Sequence, residues 1–213
     1  MIPTIRPHLT GDGVNWLDAA IDKIHADAGT IFAIFPAAGR RCGRGPLDDG
    51  WTVDQVVRVA LLLELPLDGE PLGTLLFDLY AHGDAGERLA VLASLAAFDD
   101  AGRLGDAGLP IVRDALRTSD TRLISAAMGR YGAARLPADA YRQAVLKCVF
   151  TGVPLAAVAG LDTRADRELA RMMADFAKER EAAGRVVPPD IWPILTSHPD
   201  LLAGLSSDPK GAS

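Results

Sequence analysis

The chain has 213 residues, 49% of them hydrophobic, which is enough to bury one substantial core. Its net charge is -6 at pH 7. Proteins that bind nucleic acid usually carry a basic face, so this balance argues against nucleic acid as a partner.

The two cysteines and the apolar runs limit the class of protein further. Cys42 and Cys148 lie far apart, without the paired spacing of a zinc or redox motif, so we expect no disulfide, metal or cofactor. The longest apolar blocks, such as VALLLELPL, are far shorter than the roughly eighteen residues that a membrane span requires. We therefore expect no membrane span and a cytoplasmic protein.

Apolar residues recur at helical spacing along the chain, and sustained alternation typical of strands is nearly absent. The fold class predicted is all-α, with about nine helices. In chain order the pattern predicts helices near Val14–Ala28, Ile31–Phe35, Val53–Leu65, Leu72–His82, Ala85–Phe98, Leu109–Arg117, Thr121–Tyr131, Ala138–Phe150 and Thr163–Ala183, followed by a short final turn over Pro189–Leu195.

The spacing of the helices leaves two architectures open. Between Val53 and Phe150, six helices can be grouped as three antiparallel pairs, which favours a short HEAT-like stack of α-α repeats. An irregular helical bundle is the alternative, because residue identity between the pairs is poor. In either case we expect an N-terminal extension over 1–12, one all-α domain over 13–196 and a flexible tail over 197–213.

Capping residues and glycines mark several helix ends. Thr52 with Gln55, and Asp84 with Glu87, have the spacing of a capping box, in which each side chain bonds the other residue's backbone amide. Four glycines follow apolar periodic runs and are predicted to end helices in the left-handed conformation. They are Gly83, Gly132, Gly152 and Gly184.

The densest basic segment is GRRCGRGP, from Gly39 to Pro46. Arg40, Arg41 and Arg44 lie among three glycines, and guanidinium groups with exposed backbone amides can bind phosphate or carboxylate. The segment lacks the Lys followed by Ser or Thr of a Walker loop. The other interpretation is a solvated, mobile loop.

A second group of polar residues lies in the C-terminal half. Arg117 and Asp120 belong to the turn ALRTSDTR, where Ser119 or Asp120 could cap the next helix or form the rim of a pocket. Lys147 lies on an otherwise apolar helix and would need a partner if buried, which Asp162 or Glu179 could supply.

The last long helix, predicted over Thr163–Ala183, has one apolar and one charged stripe. The apolar stripe includes Leu169, Met173 and Phe176 and should face the core. The charged stripe runs from Arg164 through Glu168, Arg171, Asp175 and Lys178. Its spacing suits a ladder of intrahelical ion pairs or, alternatively, a polar groove shared with a partner helix.

The chain resembles the EboA-domain family. The resemblance rests on YRQAVLKCVFTGVPL from Tyr141, GLDTRADRELARMM from Gly160 and AKEREAAGRVVPPDIW from Ala177, with further support from ALRTSD and FAIFPAAGRRCGRGPL. It implies association with gene clusters that traffic or process small secondary metabolites. It implies no catalytic residues.

These observations predict an accessory protein that binds a small apolar metabolite, or a partner protein of the same gene cluster, through a helical groove. The alternative is an enzyme acting on a prenylated or aromatic substrate in a helical pocket. Such an enzyme would use some of the residues Arg117, Asp120, Lys147, Asp162 and Glu179. A structural scaffold is a third alternative.

Overall fold

The computed structural model describes residues 5–47 and 50–205, and within these ranges the chain is helical. Its β-type pairing in the same ranges is a single isolated bridge between Pro46 and Thr52. The all-α prediction is confirmed. The choice between a HEAT-like stack and an irregular bundle stays a prediction. None of the described helices has the length and apolar character needed to cross a membrane.

The chain divides into two compact units, Met1–Arg117 and Thr118–Ser213. The single domain predicted over 13–196 stays a prediction. At the two ends, Arg6–His8 and Pro199–Leu202 form short 3₁₀ helices. Residues 1–4 and 206–213, which belong to the predicted extension and tail, lie outside the described residues.

The first unit is organised around a helix that is buried on nearly every side. Its helices are α1 (Gly11–Ala26), α2 (Ile31–Ile34), α3 (Ala38–Cys42), α4 (Val53–Leu63), α5 (Gly69–His82), α6 (Ala85–Asp100) and α7 (Leu109–Ala115). Helix α4 packs against α1, α3 and α6, and six successive residues from Val57 to Leu62 are buried. Such a helix occupies the centre of a core.

The predicted caps fix where α4 and α6 begin. Gln55 accepts the Thr52 backbone N–H at 3.0 Å, and Asp84 and Glu87 exchange two hydrogen bonds at 2.9 and 3.1 Å. Each bond satisfies an amide that the first helical turn leaves without a partner. Both capping boxes are confirmed.

The second unit places a long amphipathic helix against shorter ones. Its helices are α8 (Thr121–Ala127), α9 (Arg130–Arg135), α10 (Ala138–Thr151), α11 (Leu161–Arg164), α12 (Arg167–Ala182) and α13 (Trp192–Thr196). Helix α12 packs against α10 and α13 through the predicted apolar stripe, where Leu169, Met173 and Phe176 are buried. Trp192 is buried at the start of α13 and holds this last helix on the unit.

The long helix begins later than its sequence pattern predicts. The chain from Thr163 onward is divided between α11 and α12, and the residue that caps α12 is Asp166, whose carboxylate accepts the Leu169 N–H at 3.0 Å. Asp162 and Thr163, whose side chains could also cap a helix that begins near Thr163, lie within α11. Three residues of this segment can cap a helix, and local preference alone does not choose between them.

Two of the four glycine predictions are confirmed and two are wrong. Gly152 and Gly184 have φ values of 77° and 64°, in the left-handed region that favours glycine. Gly83 follows α5 with a φ of -76°. Gly132 lies inside α9, where an added Cβ would be 2.0 Å from the carbonyl oxygen of Ala127. Close backbone approach therefore requires that glycine, and the helix predicted over Thr121–Tyr131 is in fact two short helices.

Candidate functional site

The second unit contains a cleft of about 480 Å³ with mostly apolar walls. The residues that line it are Leu155, Ala156, Leu161, Asp162, Ala165, Asp190, Pro193, Ile194 and Ser197. They come from the 3₁₀ helix Leu155–Ala157, from α11 and the residue after it, and from the segment that leads into and through α13. Small-molecule sites have this size and this apolar character, with a few polar groups among the walls.

One wall is joined to another by a side-chain-to-backbone hydrogen bond. The Leu155 backbone N–H donates to the Asp190 carboxylate at 2.9 Å, across 35 positions of sequence. Gly152 makes this possible, because its left-handed conformation ends α10 and turns the chain toward the 3₁₀ helix that contains Leu155. The two sides of the cleft are therefore fixed relative to each other.

Arg164 holds α11, which contributes to the lining of the cleft, in place. Its guanidinium donates to the carbonyls of Ala133 and Leu136, the latter at 2.7 Å, and lies 4.0 Å from the centroid of the Tyr141 ring. The Tyr141 hydroxyl donates to the Ala159 carbonyl at 2.7 Å, one residue before the glycine that precedes α11. These contacts anchor the helix that carries two of the lining residues, Leu161 and Asp162.

The electrostatics of Tyr141 follow from these contacts. Burial raises the pKa of Tyr141, the positive charge of Arg164 opposes that rise, and the negative charge of Asp162 adds to it. The hydroxyl therefore stays protonated at neutral pH and keeps its donor role toward Ala159.

An ion pair also joins α10 to the residue that caps α12. Arg142 binds the Asp166 carboxylate through two nitrogens, the closer at 2.7 Å. The hydrogen bond from Arg142 and that from the Leu169 N–H lower the pKa of Asp166 to about 2. Tyr141 and Arg142 thus pair with Arg164 and Asp166, so α10 is joined to both ends of the α11–α12 connection.

The charged stripe of α12 is shorter than predicted. Arg171 pairs with Glu168 at 2.7 Å and with Asp175 at 2.6 Å, which confirms that part of the ion-pair ladder. Arg164 lies outside the helix and contacts Tyr141 instead. The exposed ladder adds little to stability.

Three side chains give the cleft its polar character. Asp162 has no side-chain hydrogen bond and no ion-pair partner within the described residues, and Asp190 has the Leu155 amide as its one hydrogen-bond donor in the same ranges. The Ser197 hydroxyl donates its proton to the Pro193 carbonyl at 3.1 Å. All three side chains of these lining residues therefore keep acceptor capacity that their contacts do not use.

Among the site residues predicted in the second unit, Asp162 lines the cleft and the other three do not. Asp120 caps α8 and binds Arg122 at 2.7 Å, and hydrogen bonds from Arg122 hold its pKa below the ordinary value. The Nζ of Lys147 donates to the Thr118 carbonyl at 2.8 Å, which takes the place predicted for Asp162 or Glu179. Glu179 is exposed on α12.

The predicted arginines Arg40, Arg41, Arg44 and Arg117 belong to the first unit, and all four are exposed. The Gly39–Pro46 segment is not wholly a loop, because its first half belongs to α3. The Arg44 side chain lies over Gly39, where an added Cβ would be 2.6 Å from its Nε. Its charge also contributes to lowering the pKa of Asp54.

The most deeply buried charge of the described chain, Arg58, was not among the predicted residues. It is 1% exposed and donates to Asp54 at 2.5 Å and to the Phe35 carbonyl at 3.2 Å, with Glu87 at 3.6 Å. Burial works to raise the pKa of Asp54, but hydrogen bonds from Thr52 and Arg58 and the nearby positive charges bring it below the ordinary value. The signal that could have found it is an arginine in the middle of the run VVRVALLL, where every face of the helix is apolar.

Neither cysteine is placed as a nucleophile. Burial raises the pKa of both the Cys42 and the Cys148 thiols to about 11. Both are free thiols, and Cys148 is fully buried on α10. A thiolate, the reactive form, is therefore disfavoured at neutral pH at either position.

Comparison with known families matches residues 42–196, well over half of the chain, to the family described as metabolite traffic protein EboA. The match contains all of the residues that line the cleft except Ser197. No curated protein and no solved structure matches the chain.

Proposed function

Since the chain belongs to the EboA family of metabolite traffic proteins, we propose that it is an accessory protein that binds a small, largely apolar metabolite in the cleft of its second unit. The protein would hold this compound during trafficking or biosynthesis, for transfer to or from partner proteins of the same gene cluster.

The observation that carries the proposal is which segments of the sequence supply the residues that line the cleft. Each of the three segments on which the family resemblance rests contributes to them: YRQAVLKCVFTGVPL supplies Leu155, GLDTRADRELARMM supplies Leu161, Asp162 and Ala165, and AKEREAAGRVVPPDIW supplies Asp190. The contacts of Arg164 with Tyr141 and of Arg142 with Asp166 join two of these segments beside the cleft. Five of the nine residues that line the cleft thus come from the segments on which the family resemblance rests.

The chemistry of the walls favours an apolar ligand. Leu155 and Ile194 are buried side chains that present apolar surface to the cleft, with Leu161 and Pro193 beside them. Covering such surface contributes roughly 25 cal/mol per Å² of apolar area removed from water. Part of this gain is lost in ordering the ligand, so a compound with a rigid apolar body would bind best.

The placement of the polar residues favours binding over catalysis. An enzyme of the kind considered from the sequence would gather several of its polar residues around one cavity. Of those in the second unit, Asp162 lines the cleft, whereas Asp120 binds Arg122 and Lys147 donates to the Thr118 carbonyl. Of the second-unit residues named for an enzyme, the cleft thus has one carboxylate, which supports recognition of a ligand more than catalysis.

Two neighbouring alanines allow a matched test. Ala156 and Ala157 are both exposed and belong to the same 3₁₀ helix, but Ala156 lines the cleft and Ala157 does not. We expect Ala156→Trp to fill the cleft and to raise the Kd of the neutral apolar dye Nile red, measured by fluorescence titration, by about tenfold. Ala157→Trp should leave the Kd within about twofold of the parent. Equal binding by all three proteins would refute the cleft as the binding site.

A further inference from the structure

We infer that the ligand of this cleft is an amphiphilic cation, that is, an apolar body that carries a protonated amine or a similar positively charged N–H group. The inference rests on the proposed function and specifies the class of compound bound. It follows from the hydrogen-bonding capacity and the charge of the side chains that line the cleft.

The side chains that line the cleft can accept hydrogen bonds, but none of them has an unused N–H or O–H group to donate. The carboxylates of Asp162 and Asp190 are acceptors only, and the Ser197 hydroxyl has already given its proton to the Pro193 carbonyl. The remaining lining side chains are apolar. A ligand group that satisfies these acceptors must therefore be a donor.

The two carboxylates also lack a countercharge. No lysine, arginine or histidine is among the lining residues, and within the described ranges neither Asp162 nor Asp190 has an ion-pair partner. The nearest arginine in sequence, Arg164, is held by two backbone carbonyls and the Tyr141 ring. Two other acids of the second unit do have an ion-pair partner, since Asp166 is paired with Arg142 and Asp200 with Arg167.

An apolar ligand changes the environment of these carboxylates when it binds. It displaces water from the walls, and a carboxylate that loses water without gaining a partner is destabilised. A positive group on the ligand offsets this cost, whereas a neutral ligand leaves it and an anionic ligand adds repulsion. The cleft should therefore discriminate between ligands of the same apolar body by the charge of their head group.

Three compounds with a common body test this directly: 4-phenylbutylamine, 4-phenylbutan-1-ol and 4-phenylbutyrate, which differ only in an ammonium, hydroxyl or carboxylate end. We would titrate each into the full chain at neutral pH and low salt and follow methyl NMR signals of Leu155, Leu161 and Ile194. We expect the amine to bind about tenfold more tightly than the alcohol, and the carboxylate to bind most weakly. Because the contact is ionic, the preference for the amine should shrink at high salt.

The variant Asp162→Asn with Asp190→Asn removes both charges and keeps an amide oxygen that can accept the Leu155 N–H. The matched control is Asp139→Asn with Glu179→Gln, which changes the net charge equally at exposed residues outside the lining. We expect the first variant to bind amine and alcohol alike, and the control to retain the preference for the amine. If the double variant does not fold, Asp162→Asn alone gives a smaller change in the same direction, since Asp162 is exposed.

The outcomes separate this inference from the proposed function. If the amine and the alcohol move the cleft signals with equal affinity, the cationic ligand is wrong while the apolar cleft stands. The cationic ligand is also wrong if the control pair abolishes the preference as fully as the cleft pair does. If none of the three compounds moves these signals and Nile red is bound equally by the Ala156 and Ala157 variants, the proposed function fails as well.

Discussion

Replacing Arg58 by methionine should be among the most damaging single changes in the first unit. The substitution keeps much of the apolar stem but removes the charge that sits between Asp54 and Glu87, two residues that are 7% and 9% exposed. Removing one partner of a buried ion pair costs about 3–5 kcal/mol, because the remaining charge is left without compensation. The Phe35 carbonyl also loses its donor. Since these losses share one side chain and are not additive, we expect about 4 kcal/mol less free energy of unfolding.

Urea denaturation followed by circular dichroism measures this loss, with two controls. Arg40→Met removes an exposed arginine of the same unit and should change the free energy of unfolding by less than about 0.5 kcal/mol. Adding Asp54→Asn and Glu87→Gln to Arg58→Met removes the uncompensated charges but keeps oxygens that can accept from the Thr52 hydroxyl and the Asp84 N–H, and should recover at least half of the loss. A loss below about 1.5 kcal/mol for Arg58→Met, or no recovery in the triple variant, would refute the reasoning.

The pH dependence gives a third check on the same cluster. The pKa of Asp54 is lowered in the folded protein, so the stability it contributes is present above the ordinary aspartate pKa of about 4 and is lost as the pH falls through the folded value. In Arg58→Met the Asp54 carboxylate has lost the hydrogen bond and the positive charge of Arg58, so it is protonated more readily. The difference in stability between parent and variant should therefore narrow as the pH is lowered.

Three further predictions concern the second unit. Gly132→Ala should cost about 2 kcal/mol or more in urea denaturation, because the new Cβ meets the Ala127 carbonyl, whereas Gly11→Ala, with open space around it, should cost little. Asp166→Asn should lower the urea midpoint at pH 7, and the difference should vanish as the pH falls toward the parent's folded pKa of about 2, where the charge that pairs with Arg142 is lost. Arg164→Lys should cost about 1–2 kcal/mol and weaken Nile red binding, since an ammonium cannot reproduce the planar fork that binds two carbonyls and stacks on Tyr141. Retention of parental dye binding by Arg164→Lys would show that these Arg164 contacts do not shape the cleft.

The sequence predicts the fold class because its information on helices is local. Apolar periodicity and the pairs Thr52 with Gln55 and Asp84 with Glu87 act within a few residues, and the structure retains them. The start of the last long helix is harder to predict because Asp162, Thr163 and Asp166 are all competent caps. Asp166, which caps the helix, is also paired with Arg142, and this contact across 24 positions cannot be read from local sequence.

The cleft itself could not be derived from periodicity. Its lining residues lie in or directly after 3₁₀ helices, a four-residue helix and a short final helix, where the apolar pattern is too brief to show a face. Contacts such as that between Leu155 and Asp190 join residues 35 positions apart. The sequence marks Asp162 as a polar candidate, but as a partner for Lys147; its place in the cleft and the role of Arg164 depend on tertiary contacts.

The most direct test of the cleft as the metabolite site is to purify the full chain from cells that make its metabolite and to identify what it carries. The parent protein, Ala156→Trp and Ala157→Trp would be extracted with organic solvent and compared by mass spectrometry at equal protein amounts. We predict one small, largely apolar compound that is recovered with the parent and with Ala157→Trp and is strongly depleted from Ala156→Trp. Recovery of that compound in equal amounts from all three proteins would contradict the assignment of the cleft.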